Sequence, residues 1–307
     1  MRSLIIGRGG LLGSALARQT KASFSNPSIP WTRRDDVSNA IRALVLDFAS
    51  NCGDEPWQVC WVAGSAVTTA SNADVETELD SFHDFCQVLR RHAPRGPGSV
   101  FLASSAGGVY AGSQGAPFSE RSPTRALSPY GQLKLSQESL AIDLANHFPV
   151  VIGRIANLYG PGQSLRKVQG LITRLVLAAV TRSSLNIFVP LDTLRDYVYV
   201  DDAAATILDW LHVARREGTG PGYQIRVIAS GRAVSVAYVL RLTQSIARRR
   251  IPIALGTHAS ATSHAMDLRL TPSRHPLVRS SDLTSLAIGV KSVLADVERQ
   301  HRGALVG

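Results

Sequence analysis

The chain has 307 residues, of which 45% are apolar and 18% charged, the composition of a globular protein with a substantial core. The longest apolar runs, such as residues 171–180, are too short to span a bilayer, so we expect no membrane partner. The first predicted strand begins at Ser3, which leaves no room for a targeting peptide, and we expect a cytoplasmic protein.

Charge and cysteine content limit the partners further. The net charge of +10 indicates either an anionic partner or solvated arginines scattered over the surface. Basic and aromatic residues do not interleave as in a groove for single-stranded nucleic acid, so no nucleic-acid partner is expected. Cys52, Cys60 and Cys86 are odd in number and form no CxxC pair. They predict buried or idle thiols in a reducing compartment, with no disulfide framework and no metal site.

A glycine turn follows the first apolar strand, Leu4-Ile5-Ile6, and leads into a helical stretch. Its spacing is Gly7-x-x-Gly10-x-x-Gly13, which differs from G-x-G-x-x-G because position 12 is leucine. Glycines let the backbone approach a pyrophosphate, and the following helix N-terminus supplies N–H donors. We therefore predict a dinucleotide-binding site. The alternative is a tight turn that binds no ligand. The predicted residues of the dinucleotide-binding site are Gly7, Arg8, Gly10, Leu12 and Gly13.

Residues about twenty positions beyond such a turn distinguish two cofactors. An acidic residue there binds the ribose of NAD, whereas an arginine suits the extra phosphate of NADP. Arg33 lies twenty positions after Gly13, and Arg34 follows it. We therefore predict NADP or NAD as the cofactor, with NADP favoured. Asp35 and Asp36 would reverse this preference if the preceding strand ended later.

Strands and helices alternate through the first half of the chain, as in an α/β protein. A helix is predicted over 36–50, a strand over 58–62, a helix over 75–91 and a strand over 99–103. The strand over 58–62 leads into Ala63-Gly64, small residues that would let a cofactor lie close, unless they merely end the strand. The strand over 99–103 leads into Ser104-Ser105. A hydroxyl beyond the carboxyl end of a parallel strand can hydrogen-bond a substrate oxygen.

The second half of the chain continues this pattern. A strand over 149–155 precedes Asn157, a candidate donor to a phosphate or a sugar. A helix over 168–180 and strands over 185–189 and 195–200 follow, and then a helix that Asp201 or Asp202 would cap. A strand over 223–229 and a helix over 235–248 come next. The C-terminal third of the chain contains no further glycine-rich phosphate turn, and we interpret it as a substrate lid.

Tyr130 and Lys134 are four residues apart, which places them on one face of a helix. A fixed ammonium near a phenol favours the phenolate form. Such a pair could carry a proton to or from a sugar or steroid hydroxyl. Taken alone, the two residues are better explained as surface groups on an ordinary helix.

Together these segments resemble the extended short-chain dehydrogenase/reductase family, the NAD(P)-dependent nucleotide-sugar epimerases and dehydratases. The resemblance covers residues 1 to about 240 with the motifs in the family's order. The matching segments are Gly7/Gly10/Gly13, Ser104-Ser105 with Val109-Tyr110, Ser128-Pro129-Tyr130-xxx-Lys134, Asn157-Leu158-Tyr159-Gly160-Pro161-Gly162, and Arg195-Asp196-Tyr197-Val198-Tyr199-Val200-Asp201-Asp202.

The resemblance implies an α/β fold: a Rossmann domain with a doubly wound parallel sheet and a smaller C-terminal substrate-binding domain. We expect residues 1–165 to form the NAD(P)-binding domain, to which the chain returns at about 190–217. Residues 166–307 would form mainly the substrate-binding domain. Homodimers are common in the family, so a homodimer is a further expectation.

The resemblance also implies residue roles. Tyr130 would act as acid and base, and Lys134 would lower the affinity of the phenol for its proton and hold the nicotinamide ribose. A hydroxyl orients the substrate in the family, and we assign that role to Ser105, with Ser104 as a substrate contact. Asn157 and Arg195 would face the substrate's diphosphate.

This chain departs from the family pattern in three places. The family hydroxyl stands four residues before the tyrosine matched by Tyr110, where this chain has Ala106. The usual third strand and its adenine-binding aspartate are not evident, since Asp47 falls inside a predicted helix. His264 stands where an arginine is common ahead of Asp267.

We therefore expect an NAD(P)-dependent epimerase that transfers a hydride at a sugar carbinol of a nucleotide sugar. Gly107-Gly108 replace the Asp-Glu pair usual in dehydratases, which disfavours dehydration. One alternative is an NADPH-dependent reductase of a keto-sugar or small carbonyl, which the two arginines favour. The other is a non-catalytic dinucleotide sensor, although such a protein would have no use for a paired phenol and ammonium.

Overall fold

The computed structural model describes residues 1–20, 24, 29–31, 34–64, 72–165, 170–216, 222–256, 265–272 and 282–306. The elements of the first half are β1 (Arg2–Ile6), α1 (Leu11–Gln19), α2 (Arg34–Cys52), β2 (Trp57–Trp61), α3 (Asn72–His92), β3 (Gly98–Ser105), α4 (Ala106–Val109), α5 (Pro129–Leu144) and β4 (Pro149–Ile155). Those of the second half are β5 (Asn157–Tyr159), α6 (Leu171–Thr181), β6 (Leu185–Ile187), β7 (Leu194–Arg195), β8 (Tyr197–Tyr199), α7 (Val200–Arg216), β9 (Gly222–Ile228), β10 (Val234–Ser235), α8 (Val236–Ala247), β11 (Ile253–Leu255), β12 (Asp267–Leu268) and α9 (Leu286–Val306).

A parallel sheet in the order β1-β2-β3-β4-β9 forms the centre of the molecule. Its strands are apolar runs because helices cover both faces. Helices α1 and α7 pack on one face, and α2, α3 and α5 pack on the other. The predicted α/β fold with a Rossmann-type parallel sheet is confirmed. Since parallel strands end at the same edge, β1, β2, β3 and β4 bring their carboxyl ends together there.

A second apolar cluster lies beside the sheet and is formed by α6, α8 and α9 with the short β6–β11 pair. Its most deeply buried members include Leu175, Val239 and Val290. Strand β9 also belongs to the central sheet, and it lies later in the sequence than residues 190–217, where the chain is predicted to return to this domain. The division of the chain at residue 165 stays a prediction. Within the described ranges, no helix combines the length and the apolar character needed to cross a bilayer.

Two local predictions need correction. Helix α7 begins at Val200, so Asp201 and Asp202 lie in its first turn and not at its N-cap. The predicted strand over 195–200 is divided into β7 and β8 by Asp196, which is fully buried. The Asp196 carbonyl accepts the N–H of Asn157, and its carboxylate accepts the N–H and hydroxyl of Ser230. These contacts replace a continuous strand ladder at this residue.

The segment between α1 and β2 contains helix α2. Residues 34–64 are all described, and helix α2 passes to β2 through the turn at residues 53–56 without a strand between them. Asp47 lies within α2. Part of the segment between α1 and β2 lies outside the described residues, so the absence of the usual third strand stays a prediction; β1 stands at the edge of the described sheet.

Candidate active site

The glycine turn between β1 and α1 has a shape that side chains would obstruct. Gly7 has φ +98°, and a Cβ there would lie 2.5 Å from the backbone nitrogen of Ala63. A Cβ on Gly13 would lie 2.2 Å from the Gly7 carbonyl oxygen, so α1 approaches the turn closely. Gly10 is the N-cap of α1 and provides no side-chain cap, which leaves first-turn N–H groups for another acceptor. A Cβ on Gly9 would meet nothing within 4 Å. The turn therefore fits the diphosphate of a dinucleotide.

The other predicted cofactor residues near the turn differ in their exposure, and some of them lie outside the described residues. Leu12 is buried in the core, so it would contact a dinucleotide through its backbone. Arg8 is exposed and donates from its guanidinium to the carbonyl of Phe24 at 3.4 Å. Arg33 and the side chain of Arg34 lie outside the described residues, as does His264. Asp35 falls in the first turn of α2, where carboxylates are favoured by the helix dipole.

A pocket opens where β2, β3 and β4 end, against the N-terminal part of α5. Six of the predicted site residues line it: Ala63, Gly64, Ser104, Ser105, Tyr130 and Lys134. Its remaining lining residues are apolar: Val62, Ala103, Ile155, Ala156 and Leu158. Such a mixture of apolar walls and a few convergent polar groups is typical of a small-molecule site. The sequence-predicted residues are thus brought to one place by the shared sheet edge.

Tyr130 and Lys134 stand at the start of α5, as the spacing predicts. Pro129 occupies the first turn, and the Ser128 hydroxyl caps the helix by accepting the N–H of Gly131 at 3.2 Å. The ammonium of Lys134 lies 5.5 Å from the centroid of the Tyr130 ring. Tyr130 is half-buried, whereas Lys134 is only 6% exposed. The cation is therefore held inside the pocket, with the phenol at its side.

Two further side chains hold the ammonium of Lys134. It donates to Oε1 of Gln137 at 2.9 Å and to Oε1 of Glu78 at 3.1 Å. Gln137 lies three residues along the same helix, and Glu78 reaches across from α3. The side chains of Lys134 and Glu78 are each 7% exposed, so this is a buried ion pair. Neither Gln137 nor Glu78 was predicted as a site residue.

The two serines at the end of β3 use their hydroxyls differently. Ser104 donates to Oε1 of Glu138 at 2.5 Å, a contact buried behind the pocket wall. Ser105 caps the short helix α4, accepting the N–H of Gly108 at 3.2 Å. An accepting hydroxyl keeps its own proton for another partner, so Ser105 can still donate to a substrate. Ala106, at the family's hydroxyl position, is fully buried.

A buried polar network supports the wall formed by Ser104. The guanidinium of Arg154, on β4, binds the Glu138 carboxylate at 2.7 Å and donates to the Tyr110 hydroxyl at 2.7 Å. The Tyr110 hydroxyl in turn donates to the Ser119 carbonyl at 2.8 Å. Burial raises the pKa of Tyr110, an effect that the nearby Arg154 opposes. Tyr110 is therefore a neutral donor in this network.

Asn157 and Arg195 are close in the fold through the pairing of β5 with β8. The side-chain amide of Asn157 donates to the Asp196 carbonyl at 2.9 Å. The Arg195 guanidinium donates to the Leu194 carbonyl at 2.8 Å, and burial lowers the pKa of Arg195, with Asp267 opposing. Neither residue lines the pocket described above, although Leu158, next to Asn157, does. Their predicted contact with a diphosphate stays a prediction.

The buried charges missed in the sequence had detectable signals. Glu78 falls on the apolar stripe of α3, in step with Phe82, Phe85 and Leu89. Arg154 interrupts an otherwise apolar strand, and Glu138 follows Lys134 by one helical turn. A charge at a core position is rare unless it is paired. The pairings themselves are tertiary contacts that no local pattern specifies.

Known proteins share both the sequence pattern and the fold of this chain. The family model described as the NAD dependent epimerase/dehydratase family matches residues 3–225. This chain belongs to that family. The predicted resemblance is confirmed, and with it an NAD(P)-dependent enzyme of the extended short-chain dehydrogenase/reductase type.

Two relatives of this epimerase/dehydratase-family chain illustrate the range of similarity. The UDP-glucose 4-epimerase of Azospirillum brasilense is 32% identical over 286 residues, covering 82% of this chain and 79% of that relative. The dTDP-L-rhamnose 4-epimerase of Burkholderia thailandensis is 32% identical over 126 residues, which is 40% of this chain and 33% of that relative. The similarity to the first of these runs through most of both chains.

Solved structures share the whole architecture at lower identity. The UDP-glucose 4-epimerase from Bifidobacterium longum, solved in complex with NAD+ and UDP, gives a TM-score of 0.79 over 99% of this chain and 100% of that chain, at 19% identity. The protein RMD from Pseudomonas aeruginosa, solved in complex with NADPH, gives a TM-score of 0.72 over 97% of this chain and 99% of that chain, at 20% identity. At such identities the likeness shows the shared fold alone.

Proposed function

We propose that this enzyme is an epimerase of a nucleoside-diphosphate sugar, acting at a secondary hydroxyl of the sugar with Tyr130 as acid and base. One observation carries the proposal. Tyr130 and the buried ammonium of Lys134 lie in a single pocket with Ala63-Gly64 and Ser105, beside a glycine turn that fits a diphosphate. The named relatives act on UDP- and dTDP-sugars, which supports the same class of substrate.

Each side chain has a distinct task in this proposal. The phenolate of Tyr130, stabilised by Lys134, takes the proton of the reacting hydroxyl, and the resulting phenol later returns it. Ser105 donates its free proton to the same sugar oxygen and so orients it. The apolar walls exclude water, which strengthens these interactions. When bound, the nicotinamide cofactor supplies the hydride acceptor and donor.

The experiment compares Tyr130→Phe with the wild-type enzyme on UDP-glucose, other UDP-sugars and dTDP-sugars, with sugar products resolved by NMR. Loss of the acid–base group is expected to lower turnover by about 10²–10⁴-fold. Tyr223→Phe is the matched control, because Tyr223 is 51% exposed and stands at the opposite, amino-terminal end of its strand. Near wild-type turnover by Tyr130→Phe would overturn the proposed mechanism.

The assignment of the orienting hydroxyl has its own test. Ser105→Ala is expected to lower turnover by about tenfold or more while leaving dinucleotide binding unchanged, because only the donor to the sugar oxygen is removed. Ser139→Ala, at an exposed position of α5, is the control. Unchanged turnover in Ser105→Ala would assign the orienting role to another group.

We propose NADP over NAD as the cofactor, on the support of Arg33 and Arg34 in the sequence and the exposed guanidinium of Arg8 beside the glycine turn. Titration of NADPH and NADH by nicotinamide fluorescence tests this. Tighter binding of NADPH, with Arg33→Ala weakening NADPH alone, is expected. Tighter binding of NADH would reverse the assignment.

The same assays separate the two alternative functions. Net oxidation of NADPH with a keto-sugar or a small carbonyl, and no epimer from any nucleotide sugar, would make the enzyme a reductase. Dinucleotide binding with no turnover of any kind would make it a sensor. The buried Lys134 beside the phenol supports catalysis, because burying a cation is costly and a sensor has no use for it.

A further inference from the structure

Glu78 is a buried carboxylate directly beneath the pocket. Helix α3 turns the side chains of Phe82, Phe85 and Leu89 into the core, and Glu78 falls on the same stripe. Its Oε1 accepts the ammonium of Lys134 at 3.1 Å. An isolated carboxylate there would be strongly disfavoured, so its position depends on the cation. Lys134 is only 6% exposed, so its buried ammonium depends in the same way on the Glu78 carboxylate.

The Glu78 carboxylate also lies close to the strand end where a cofactor is expected. A Cβ on Gly64 would stand 2.9 Å from Glu78 Oε1. The carboxylate is therefore packed against Gly64, and Gly64 and Lys134 line the pocket while Glu78 does not. Gln137, which is fully buried, accepts a second hydrogen bond from the ammonium at 2.9 Å. Two of the three ammonium N–H groups are thus engaged by Glu78 and Gln137, which leaves the third to donate into the pocket.

We infer that Glu78 is a positioning residue of the reaction: it is the counter-ion that keeps Lys134 charged and fixed beside Tyr130. The inference rests on the proposed function. A buried lysine without a compensating charge gives up its proton far more readily than one in water. A neutral Lys134 could not stabilise the phenolate, so the acid–base chemistry of Tyr130 depends on a carboxylate that does not line the pocket.

The groups around Lys134 leave this role to Glu78. Of the described residues that line the pocket, Lys134 alone carries a formal charge. The ends of β2, β3 and β4 contribute small, apolar or hydroxyl side chains there. On α5 itself, Glu138 is bound by Arg154 at 2.7 Å and by the hydroxyl of Ser104. Its negative charge is therefore compensated by a different cation.

The composition of the chain makes a direct test practical. There are only four lysines, Lys21, Lys134, Lys167 and Lys291. In protein labelled with ¹³C at the lysine ε-carbons, the Lys134 signal is identified by its loss in Lys134→Arg. Its chemical shift against pH reports the protonation of that ammonium without any need for turnover. Lys291, exposed on α9, is an internal reference in the same spectrum.

Glu78→Gln keeps the size and the hydrogen-bonding oxygen but removes the charge. We expect the Lys134 signal to titrate at lower pH than in the wild type, with the loss of turnover growing as pH rises. Glu76→Gln, at an exposed position two residues away, should leave both unchanged. A Lys134 titration in Glu78→Gln that matches the wild type would overturn the inference.

Glu78→Asp serves if Glu78→Gln does not fold. It keeps the charge but withdraws it by one methylene, so a smaller shift in the same direction is expected, and no shift would again overturn the inference. Failure of the proposed function is distinguishable. If the Lys134 titration shifts in Glu78→Gln but Tyr130→Phe keeps full turnover, the counter-ion role of Glu78 stands and the proposed acid–base role of Tyr130 is wrong. If Tyr130→Phe is inactive but the Lys134 titration does not shift, the role of Tyr130 stands and the counter-ion role of Glu78 is wrong.

Discussion

The hydroxyl of Ser104 donates a 2.5 Å hydrogen bond to Oε1 of Glu138, which joins the pocket wall to a buried ion pair. Glu138 binds Arg154 at 2.7 Å, and their side chains are 5% and 7% exposed. The contact ties α5, which carries Tyr130, to the carboxyl ends of β3 and β4. The position of the phenol relative to the sheet edge therefore depends on this pair.

Replacing Arg154 by Met leaves the Glu138 carboxylate buried without its cation. Breaking a buried pair in this way is expected to cost about 3–5 kcal/mol of unfolding free energy. Urea denaturation followed by circular dichroism measures it. Arg18→Met is the control, because Arg18 and Asp201 form an exposed pair whose loss should cost at most about 1 kcal/mol. Similar losses in the two variants would contradict the structural role of the Arg154 pair.

Gly107 and Gly108 give a matched pair of substitutions in α4. A Cβ on Gly108 would stand 3.2 Å from Cε1 of Tyr130 and 3.3 Å from the Cα of Gly131, whereas a Cβ on Gly107 would come no closer than 3.6 Å to Leu268. Gly108→Ala is expected to displace the phenol and lower kcat by about ten- to a hundredfold, since small misplacements are costly in catalysis.

Gly107→Ala should retain wild-type kcat, and both variants should fold, because alanine is the better helix former. Steady-state kinetics on the substrate identified for the wild type measures the difference. Equal kcat values for the two variants would show that the space above Gly108 does not set the position of Tyr130.

The sequence specifies the parts of this site that are local. The Gly7-x-x-Gly10-x-x-Gly13 spacing and the Tyr130–Lys134 spacing each have a direct physical meaning, and the shared edge of a parallel sheet brings them together. The Glu78–Lys134 contact joins residues 56 positions apart, so only the packing of α3 on α5 creates it. The caps assigned to Asp201 and Asp202 were wrong because the side chains instead meet Arg18 and Thr284 from other elements.

The three cysteines are predicted to be inert in the folded protein. Burial raises the pKa of Cys52 to about 11 and those of Cys60 and Cys86 to about 12. Because the thiolate is the reactive form, none should react with Ellman's reagent at pH 8, and all three should react in guanidinium chloride. A thiol that reacts in the native protein at the rate of free cysteine would contradict their burial.

Asp296 connects the C-terminal helix to the loop that follows β5. Its carboxylate accepts the Gly162 N–H at 2.7 Å, the Gln300 amide at 2.8 Å and the Arg299 guanidinium at 3.0 Å. Burial alone would raise the pKa of Asp296, but these hydrogen bonds outweigh it, and the pKa lies below its usual value. A lowered folded-state pKa stabilises the protein above the unfolded-state pKa, and this contribution is lost as pH falls through the folded-state value.

Asp296→Asn should therefore lower the unfolding free energy by about 1–2 kcal/mol at pH 7, because the amide nitrogen cannot accept these donors. The gap between wild type and variant should narrow as pH falls below about 4, where the carboxyl of the unfolded chain is protonated. Urea denaturation at pH 7, 5 and 3.5 measures it, with Asp192→Asn, at an exposed position, as the control. A gap that is constant with pH would mean that Asn disturbs packing there, and that the carboxylate charge does not hold α9 to the loop.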